Sequence, residues 1–240
     1  MSGYSYNPSS HSPFRISRTK INLFVECPRC FYLDVKLGVK RPSIPAFTLN
    51  SAVDALLKKE FDLLRKKGQT HKLMKQYNID AVPYNHPEID VWRNNFIGKE
   101  YYHEETNFIL FGAIDDIWIN SKNELIIVDY KSTSTEKGID MNDHWKKVFK
   151  RQLEIYQWIY KMSGFKIHDT AYIVYANAGK NKPIFDGMLE FEMTIHPHKG
   201  DISWIEPTIF DIKKTLDLRI LPDPSPSCEH CRYVIKAGKQ

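Results

Sequence analysis

The hydrophobic residues of the chain fall into helical and strand patterns that alternate along its length. Apolar positions recur at helical spacing over Leu49 to Lys67, Asp140 to Met162 and about Ser203 to Leu218. Short apolar runs typical of strands occupy Phe111 to Ser132, Thr170 to Ala176 and Gly187 to Ile195. This order predicts an α/β domain with a central mixed β-sheet flanked by helices.

The limits of the predicted domain follow from local composition. Residues 1–16 are polar and rich in serine, which predicts a flexible N-terminus before a short helix that ends at Cys27-Pro28. We place a single domain at residues 17–233 and a tail at residues 234–240. Between Gly68 and Gly98 no strong period appears, which predicts a loop with a short helix around His71 to Tyr77.

Charged residues interrupt the apolar runs between Phe111 and Ser132. In a strand, Asp129 and Lys131 share one face, while Val128 and Tyr130 lie on the other. Charges in such a setting are unfavourable unless they are paired or bound to a metal. We therefore expect a functional site at this hairpin.

The length of the hairpin turn decides which aspartate faces Asp129. A turn of three residues, Ser121 to Asn123, places Asp115 opposite Asp129, whereas a two-residue turn brings Asp116 there. Opposed carboxylates repel each other, so the first arrangement is favourable mainly when a divalent cation lies between them. We predict the first arrangement, with Asp115 in the site.

Two carboxylates and a nearby carbonyl predict a Mg²⁺ or Mn²⁺ site, because these ions prefer oxygen ligands and keep open positions for water and phosphate. The predicted ligands are Asp115, Asp129 and the backbone carbonyl of Tyr130. Lys131 would position the attacking water or offset charge in the transition state. This chemistry suits phosphodiester hydrolysis.

The two long predicted helices carry polar residues on or beside their apolar faces. Asp54 begins the inward stripe of the first helix and is a candidate ligand, although it equally suits a favourable charge in a first helical turn. Glu60 is a weaker candidate. Gln152 and Tyr156 share the inward face of the second helix with Trp145, so an amide and a phenol point toward the same neighbour. A backbone contact at a helix–sheet seam is a common alternative for Gln152.

Composition and charge exclude fewer classes of function than these motifs do. The net charge of +5 and pI near 8.8 permit a polyanionic partner without indicating one. Residues 1–13 lack the apolar core of a signal peptide, and no apolar stretch approaches the roughly 18 residues of a membrane span. We therefore expect a cytoplasmic protein without a membrane segment.

The four cysteines form two CxxC pairs, Cys27 with Cys30 and Cys228 with Cys231. A reducing compartment disfavours disulfides, so paired cysteines indicate a metal or cluster site. Four thiolates suit either a [4Fe-4S] cluster or tetrahedral Zn²⁺, and their spacing in the sequence does not distinguish the two. Either group would join the two ends of the chain.

The motifs together resemble the RecB-like branch of the PD-(D/E)XK nuclease superfamily. The resemblance covers about Thr19 to Tyr233 and rests on the GxxD, DxK and QxxxY motifs, here Gly112 to Asp115, Asp129 to Lys131 and Gln152 to Tyr156. It implies a restriction-endonuclease-like core, with Asp115 and Asp129 as metal ligands, Lys131 as a catalytic residue, and Gln152 and Tyr156 as active-site or DNA-positioning residues. Many members carry a histidine where this chain has Asp54.

The cysteines are similar to those of iron–sulfur nucleases of the AddB type and of CRISPR adaptation systems. Those proteins use one N-terminal cysteine and three near the C-terminus. Here the expected last cysteine is absent, and Cys30 would supply the fourth thiolate. The resemblance implies a [4Fe-4S] cluster, with Zn²⁺ as the alternative.

These patterns predict a metal-dependent DNA nuclease of DNA repair, recombination or defence, with a helicase or repair protein as a possible partner. The alternative is a non-catalytic nucleic-acid-binding or assembly module held by its four-cysteine site. A cluster-dependent redox sensor is a third candidate. Cleavage polarity and the choice between DNA and RNA stay open.

Overall fold

The computed structural model describes residues 5–43, 45, 47–143 and 146–239. The chain divides into two compact units, each built from segments that are separated in sequence. We call Met1–Pro45, Glu100–Phe111 and Ile202–Gln240 the terminal unit, and Ala46–Lys99 with Gly112–Asp201 the central unit.

Helices and strands alternate through both units. In chain order they are β1 (Phe14–Ser17), α1 (Arg18–Glu26), α2 (Pro28–Val35), α3 (Thr48–Lys67), α4 (Lys72–Gln76), β2 (Val82–Pro83), α5 (Ile89–Trp92), β3 (Lys99–His103), a 3₁₀ helix (Glu104–Thr106), β4 (Phe108–Gly112), β5 (Asp116–Ile119), β6 (Leu125–Thr133), α6 (Lys147–Met162), β7 (Thr170–Ala178), β8 (Phe191–Lys199), α7 (Ile205–Asp217) and α8 (Glu229–Ala237).

The central unit contains a five-stranded mixed sheet in the order β2-β5-β6-β7-β8. Strands β6 and β7 run parallel, and the other pairs are antiparallel. In the β5–β6 hairpin Asp116 pairs with Val128, and the Asn120 N–H donates to the Glu124 carbonyl at 3.1 Å. This register confirms the predicted three-residue turn, in which Asn123 adopts a left-handed conformation (φ 57°).

Helix α3 packs on the sheet face that carries Val128 and Tyr130. The ring of Phe61, in this helix, stacks on the ring of Trp118 with centroids 5.6 Å apart. Its centroid lies 5.5 Å from that of the Tyr130 ring. Because side chains alternate along β6, Asp129 points to the opposite face, where α6 lies. The two long helices therefore cover opposite faces of one strand.

The terminal unit contains a three-stranded sheet in the order β1-β4-β3, with β1 parallel to β4. The N-terminal segment contributes to it directly. Tyr6 is buried, its ring packs edge-on against Phe14 at 5.2 Å, and its hydroxyl donates to Asp217 at 2.8 Å. Among the described residues, no helix combines the length and apolar character that a membrane crossing requires.

Several predicted boundaries differ from the structure. Strand β1 overlaps the end of the segment predicted to be flexible. Parallel pairing with β4 stabilises this strand, which is too short to show periodicity in the sequence. Helix α6 starts at Lys147 instead of Asp140, and Trp145 lies outside the described residues. Strand β8 starts four positions later than predicted, and α8 continues into the predicted tail. The single domain over residues 17–233 stays a prediction.

Candidate functional site

Asp115 and Asp129 lie next to each other at the base of the β5–β6 hairpin. Asp115 occupies the bend just before β5, and Asp129 is fully buried in the middle of β6. The Tyr130 N–H donates to Asp115 Oδ2 at 3.0 Å, so the Asp115 carboxylate lies against the backbone of the residue that follows Asp129. The structure therefore brings together the two aspartates that the register predicted.

Helix α6 supplies two buried polar groups to this hairpin. Gln152 Nε2 donates to Asp129 Oδ1 at 2.7 Å, and the Tyr156 hydroxyl donates to the backbone carbonyl of Ala113. The amide thus orients one carboxylate directly, while the phenol binds the backbone two residues before Asp115. Gln152 makes a side-chain contact in the site instead of the seam contact that was its alternative.

The lysine of β6 completes this group. Lys131 forms an ion pair with Asp129 Oδ2. Its ammonium also donates to the Tyr130 carbonyl at 3.2 Å and lies 5.1 Å from the centroid of the Phe149 ring. The predicted carbonyl ligand is thus already engaged by Lys131.

Of the two acidic candidates on α3, the structure places one in this group. Asp54 Oδ2 lies 2.8 Å from Nζ of Lys58, which also lies 3.3 Å from Asp115 Oδ1. Glu60, half exposed, pairs instead with His71 at 2.9 Å. Lys58 therefore bridges Asp54 and Asp115.

The two central carboxyl groups have opposite electrostatic environments. Burial raises the pKa of Asp129 to about 7, and the Asp115 charge adds to this effect against the opposing charge of Lys131. Burial also acts on Asp115, but Lys131 and Lys58 hold the pKa of Asp115 below its ordinary value. Asp129 therefore binds a proton more readily than Asp115 does.

A cavity of about 520 Å³ opens onto these groups. Its lining includes Asp54, Asp115, Lys131 and the aromatic rings of Phe47 and Phe149. Asp129 lies beneath the cavity wall, since its side chain is fully buried. A substrate that enters the cavity would reach two carboxylates and one ammonium first.

The family comparison bears directly on this group. A family model described as the PD-(D/E)XK nuclease superfamily matches residues 51–235. The chain belongs to this superfamily. Its members are generally metal-dependent nucleases, and the mixed sheet with flanking helices is consistent with their restriction-endonuclease-like core.

Two further comparisons concern individual proteins. No curated protein matches the chain. A solved structure titled "Crystal structure of SSO0001" aligns with 95% of this chain and 87% of that chain, at 15% sequence identity and a TM-score of 0.40.

The acidic group of this PD-(D/E)XK protein fits a divalent metal. Asp54, Asp115 and Asp129 offer hard oxygen donors. Lys58 and Lys131 neutralise part of their negative charge, which a bound metal cation would also do. Buried carboxylates at such short separation require a compensating charge. The donor set suits Mg²⁺ or Mn²⁺.

A second group of charges beneath the site was missed by the sequence analysis. Asp116 is fully buried; it accepts hydrogen bonds from Arg65, from Arg93 at 2.9 Å and from the Tyr130 hydroxyl at 2.6 Å. Arg93 Nε also donates to the Asp115 backbone carbonyl at 3.0 Å. This network holds the bend that presents Asp115.

A signal for Arg65 was present in the sequence. Arg65 follows Phe61 by four positions and therefore lies on the inward stripe of α3, where it is buried. Arg93 follows α5 in a segment without periodicity, so no local pattern indicated its contact.

The terminal unit contains the four-cysteine site. Cys27 and Cys228 immediately precede α2 and α8, and Cys30 and Cys231 lie in the first turns of those helices. All four are buried and free, and their sulfur atoms lie within 4.8 Å of one another. The structure therefore joins the two CxxC pairs, as predicted, in a site of four sulfur donors. Hydrogen bonds to sulfur come from the Ser225 N–H and the Arg41 guanidinium, each at 3.5 Å.

Proposed function

We propose that the protein is a Mg²⁺- or Mn²⁺-dependent nuclease that hydrolyses phosphodiester bonds of DNA. The observation that carries this proposal is that Asp54, Asp115 and Lys131 line one cavity, while Asp129 pairs with Lys131 beneath its wall. Acidic oxygen donors next to an ammonium match the needs of phosphoryl transfer, in which a metal and a cation stabilise developing negative charge.

Each residue of the group has a distinct proposed role. Asp54, Asp115 and Asp129 would hold the metal, which supplies an activated water and polarises the phosphoryl oxygen. Gln152 keeps Asp129 in one orientation through its 2.7 Å hydrogen bond. Tyr156 is proposed to act on the backbone of the Ala113 bend and not on the substrate.

Lys131 is proposed to stabilise the charge of the transition state. In hydrolysis a water molecule gives up a proton and its oxygen bonds to phosphorus, while the bond from phosphorus to the departing sugar oxygen breaks and that oxygen takes up a proton. Negative charge accumulates on the phosphoryl oxygens during this step. The Lys131 ammonium faces the cavity and is held by Asp129 and the Phe149 ring, so it can meet that charge without a large rearrangement.

The finer assignments rest on the resemblance of the motifs. We propose the RecB-like branch on the set GxxD, DxK and QxxxY, and a role in DNA repair, recombination or defence with a helicase or repair partner. The four-cysteine site is proposed to hold a structural metal centre, for which the resemblance implies a [4Fe-4S] cluster and the donor chemistry equally allows Zn²⁺. Neither group would take part in the hydrolysis.

A cleavage assay with end-labelled single- and double-stranded DNA tests the proposal. With Mg²⁺ or Mn²⁺ present we expect products from the parent protein and none from Asp129→Ala or Lys131→Ala, which retain the circular dichroism spectrum of the fold. Lys122→Ala, at an exposed turn position, is the matched control and keeps activity.

Calorimetric titration with Mn²⁺ separates the nuclease from the non-catalytic module. The nuclease requires Mn²⁺ binding that is lost in Asp115→Asn and retained in Lys131→Ala. Cleavage by both alanine variants at the parent rate, or Mn²⁺ binding that does not depend on Asp115, would reject the proposed active site and leave the module as the better explanation.

A further inference from the structure

The geometry of the four-cysteine site points to one tetrahedral Zn²⁺ ion and not to the [4Fe-4S] cluster that the resemblance implies. The inference rests on the terminal unit alone and does not depend on the proposed nuclease activity.

The sulfur atoms lie as close together as ligands that share a single ion. The Sγ separations are 3.5 Å for Cys30 and Cys231, 3.6 Å for Cys30 and Cys228, and 3.8 Å for Cys27 and Cys231. With a Zn–S bond of about 2.3 Å, tetrahedral thiolates are about 3.8 Å apart. The observed separations match this value, and all four atoms fall within 4.8 Å of one another.

A cubane cluster does not fit the same arrangement. In a [4Fe-4S] cluster each thiolate binds a different iron at its own corner, so the thiolates surround a core of four irons and four sulfides. Sulfur atoms in contact with one another leave no room for that core. The helices that carry the two cysteine pairs would have to move apart to accommodate it.

The backbone around the cysteines also suits a two-plus-two zinc site. Each CxxC pair supplies one thiolate from the residue before a helix and one from the first helical turn. The positive ends of α2 and α8 therefore face the sulfur atoms and stabilise their negative charge. Two equivalent pairs, each with ligand spacing common in structural zinc sites, form a closed set of four donors.

The surroundings balance the excess charge of the centre. Four thiolates around one Zn²⁺ carry a net charge of −2, and the Arg41 guanidinium donates to Cys228 Sγ at 3.5 Å. The Ser225 N–H donates to Cys27 Sγ at the same distance. Such outer hydrogen bonds orient thiolate ligands. A closed, buried set with no open position indicates a structural ion that joins α2 to α8.

Metal analysis of the whole protein tests the inference. Cells are grown with added iron and zinc, so that availability does not decide the outcome, and the protein is purified anaerobically. We expect one zinc per chain, no acid-labile sulfide and no broad visible absorbance. Replacement of zinc by Co²⁺ should produce the intense visible bands of a tetrahedral thiolate site.

Variants and a thiol titration localise the ion. Cys30→Ser and Cys231→Ser should lose the zinc, whereas Asp115→Asn in the central unit should keep it whatever its cleavage activity. If the cysteine variants do not fold, titration of the parent protein with an organomercurial should release one zinc for the four thiols. Iron with equimolar acid-labile sulfide and a brown colour bleached by dithionite would overturn the inference, as would a single iron ion without sulfide.

Discussion

The Nζ atom of Lys58 lies 3.3 Å from Oδ1 of Asp115, although the two residues are 57 positions apart. It lies 2.8 Å from Asp54 in the same helix. One ammonium therefore occupies the space between two proposed metal ligands. A divalent ion that binds these carboxylates must compete with it.

Replacement of Lys58 by methionine should strengthen metal binding. Loss of the competing charge leaves both carboxylates available, so we expect Mn²⁺ affinity to rise roughly threefold to tenfold in calorimetric titration. Lys59→Met, at the exposed neighbouring position, should bind Mn²⁺ like the parent. Unchanged or weaker binding by Lys58→Met would show that the lysine does not compete with the metal.

Asp115 and Asp116 are adjacent in sequence, but substitution of Asp115 should mainly affect metal binding and substitution of Asp116 should mainly affect stability. Asp116→Asn removes a buried negative charge that binds two guanidinium groups. We therefore expect the free energy of unfolding to fall by about 3 kcal/mol, while Mn²⁺ affinity is largely retained. Asp115→Asn should reduce stability less than Asp116→Asn does, but it should lower Mn²⁺ affinity at least tenfold, to order of magnitude. Urea unfolding and calorimetry of both variants measure the two quantities. Identical effects of the two substitutions would contradict this division.

The part of the site that follows strand register could be predicted from sequence. The turn at residues 121–123 determines that Asp115 faces Asp129, and the helical period of α6 places Gln152 on the inward face. Both inferences use local geometry, in which residue spacing converts directly into direction. The bounds of α3 were predictable for the same reason.

The remaining features depend on partners that are distant in sequence. Arg93 belongs to a segment without periodicity and becomes important only because it contacts Asp116 and the backbone of Asp115. In the sequence, Lys58 has the pattern of an ordinary surface lysine, and its contact with Asp115 depends on the packing of α3 beside the hairpin. Leu56 is apolar but 64% exposed, because the face of α3 that packs on the sheet is narrower than the apolar pattern of the helix suggests.

The pH dependence of stability should reveal the shifted Asp129. Its pKa is higher in the folded protein than in the unfolded chain, so its contribution to stability is fully present below the unfolded pKa and is lost as pH rises through about 7. Without metal, the parent should lose on the order of 1 kcal/mol between pH 5 and pH 8 relative to Asp129→Asn. Denaturant unfolding at several pH values measures this difference. The exposed substitution Asp90→Asn serves as the control and should follow the parent.

Gln152 should influence the reaction through Asp129. In Gln152→Glu a second carboxyl group replaces the amide that now donates at 2.7 Å, which should raise the pKa of Asp129 further. Metal binding requires the ionised carboxylate. The pH profiles of Mn²⁺ affinity and of the cleavage rate should therefore both be shifted to higher pH in Gln152→Glu relative to the parent. Gln152→Leu, which removes the donor without adding charge, should reduce cleavage at all pH values. Gln76→Glu, exposed at the end of α4, should leave both profiles unchanged. Coincident pH profiles for Gln152→Glu and the parent would mean that the contact with Asp129 has no role in the chemistry.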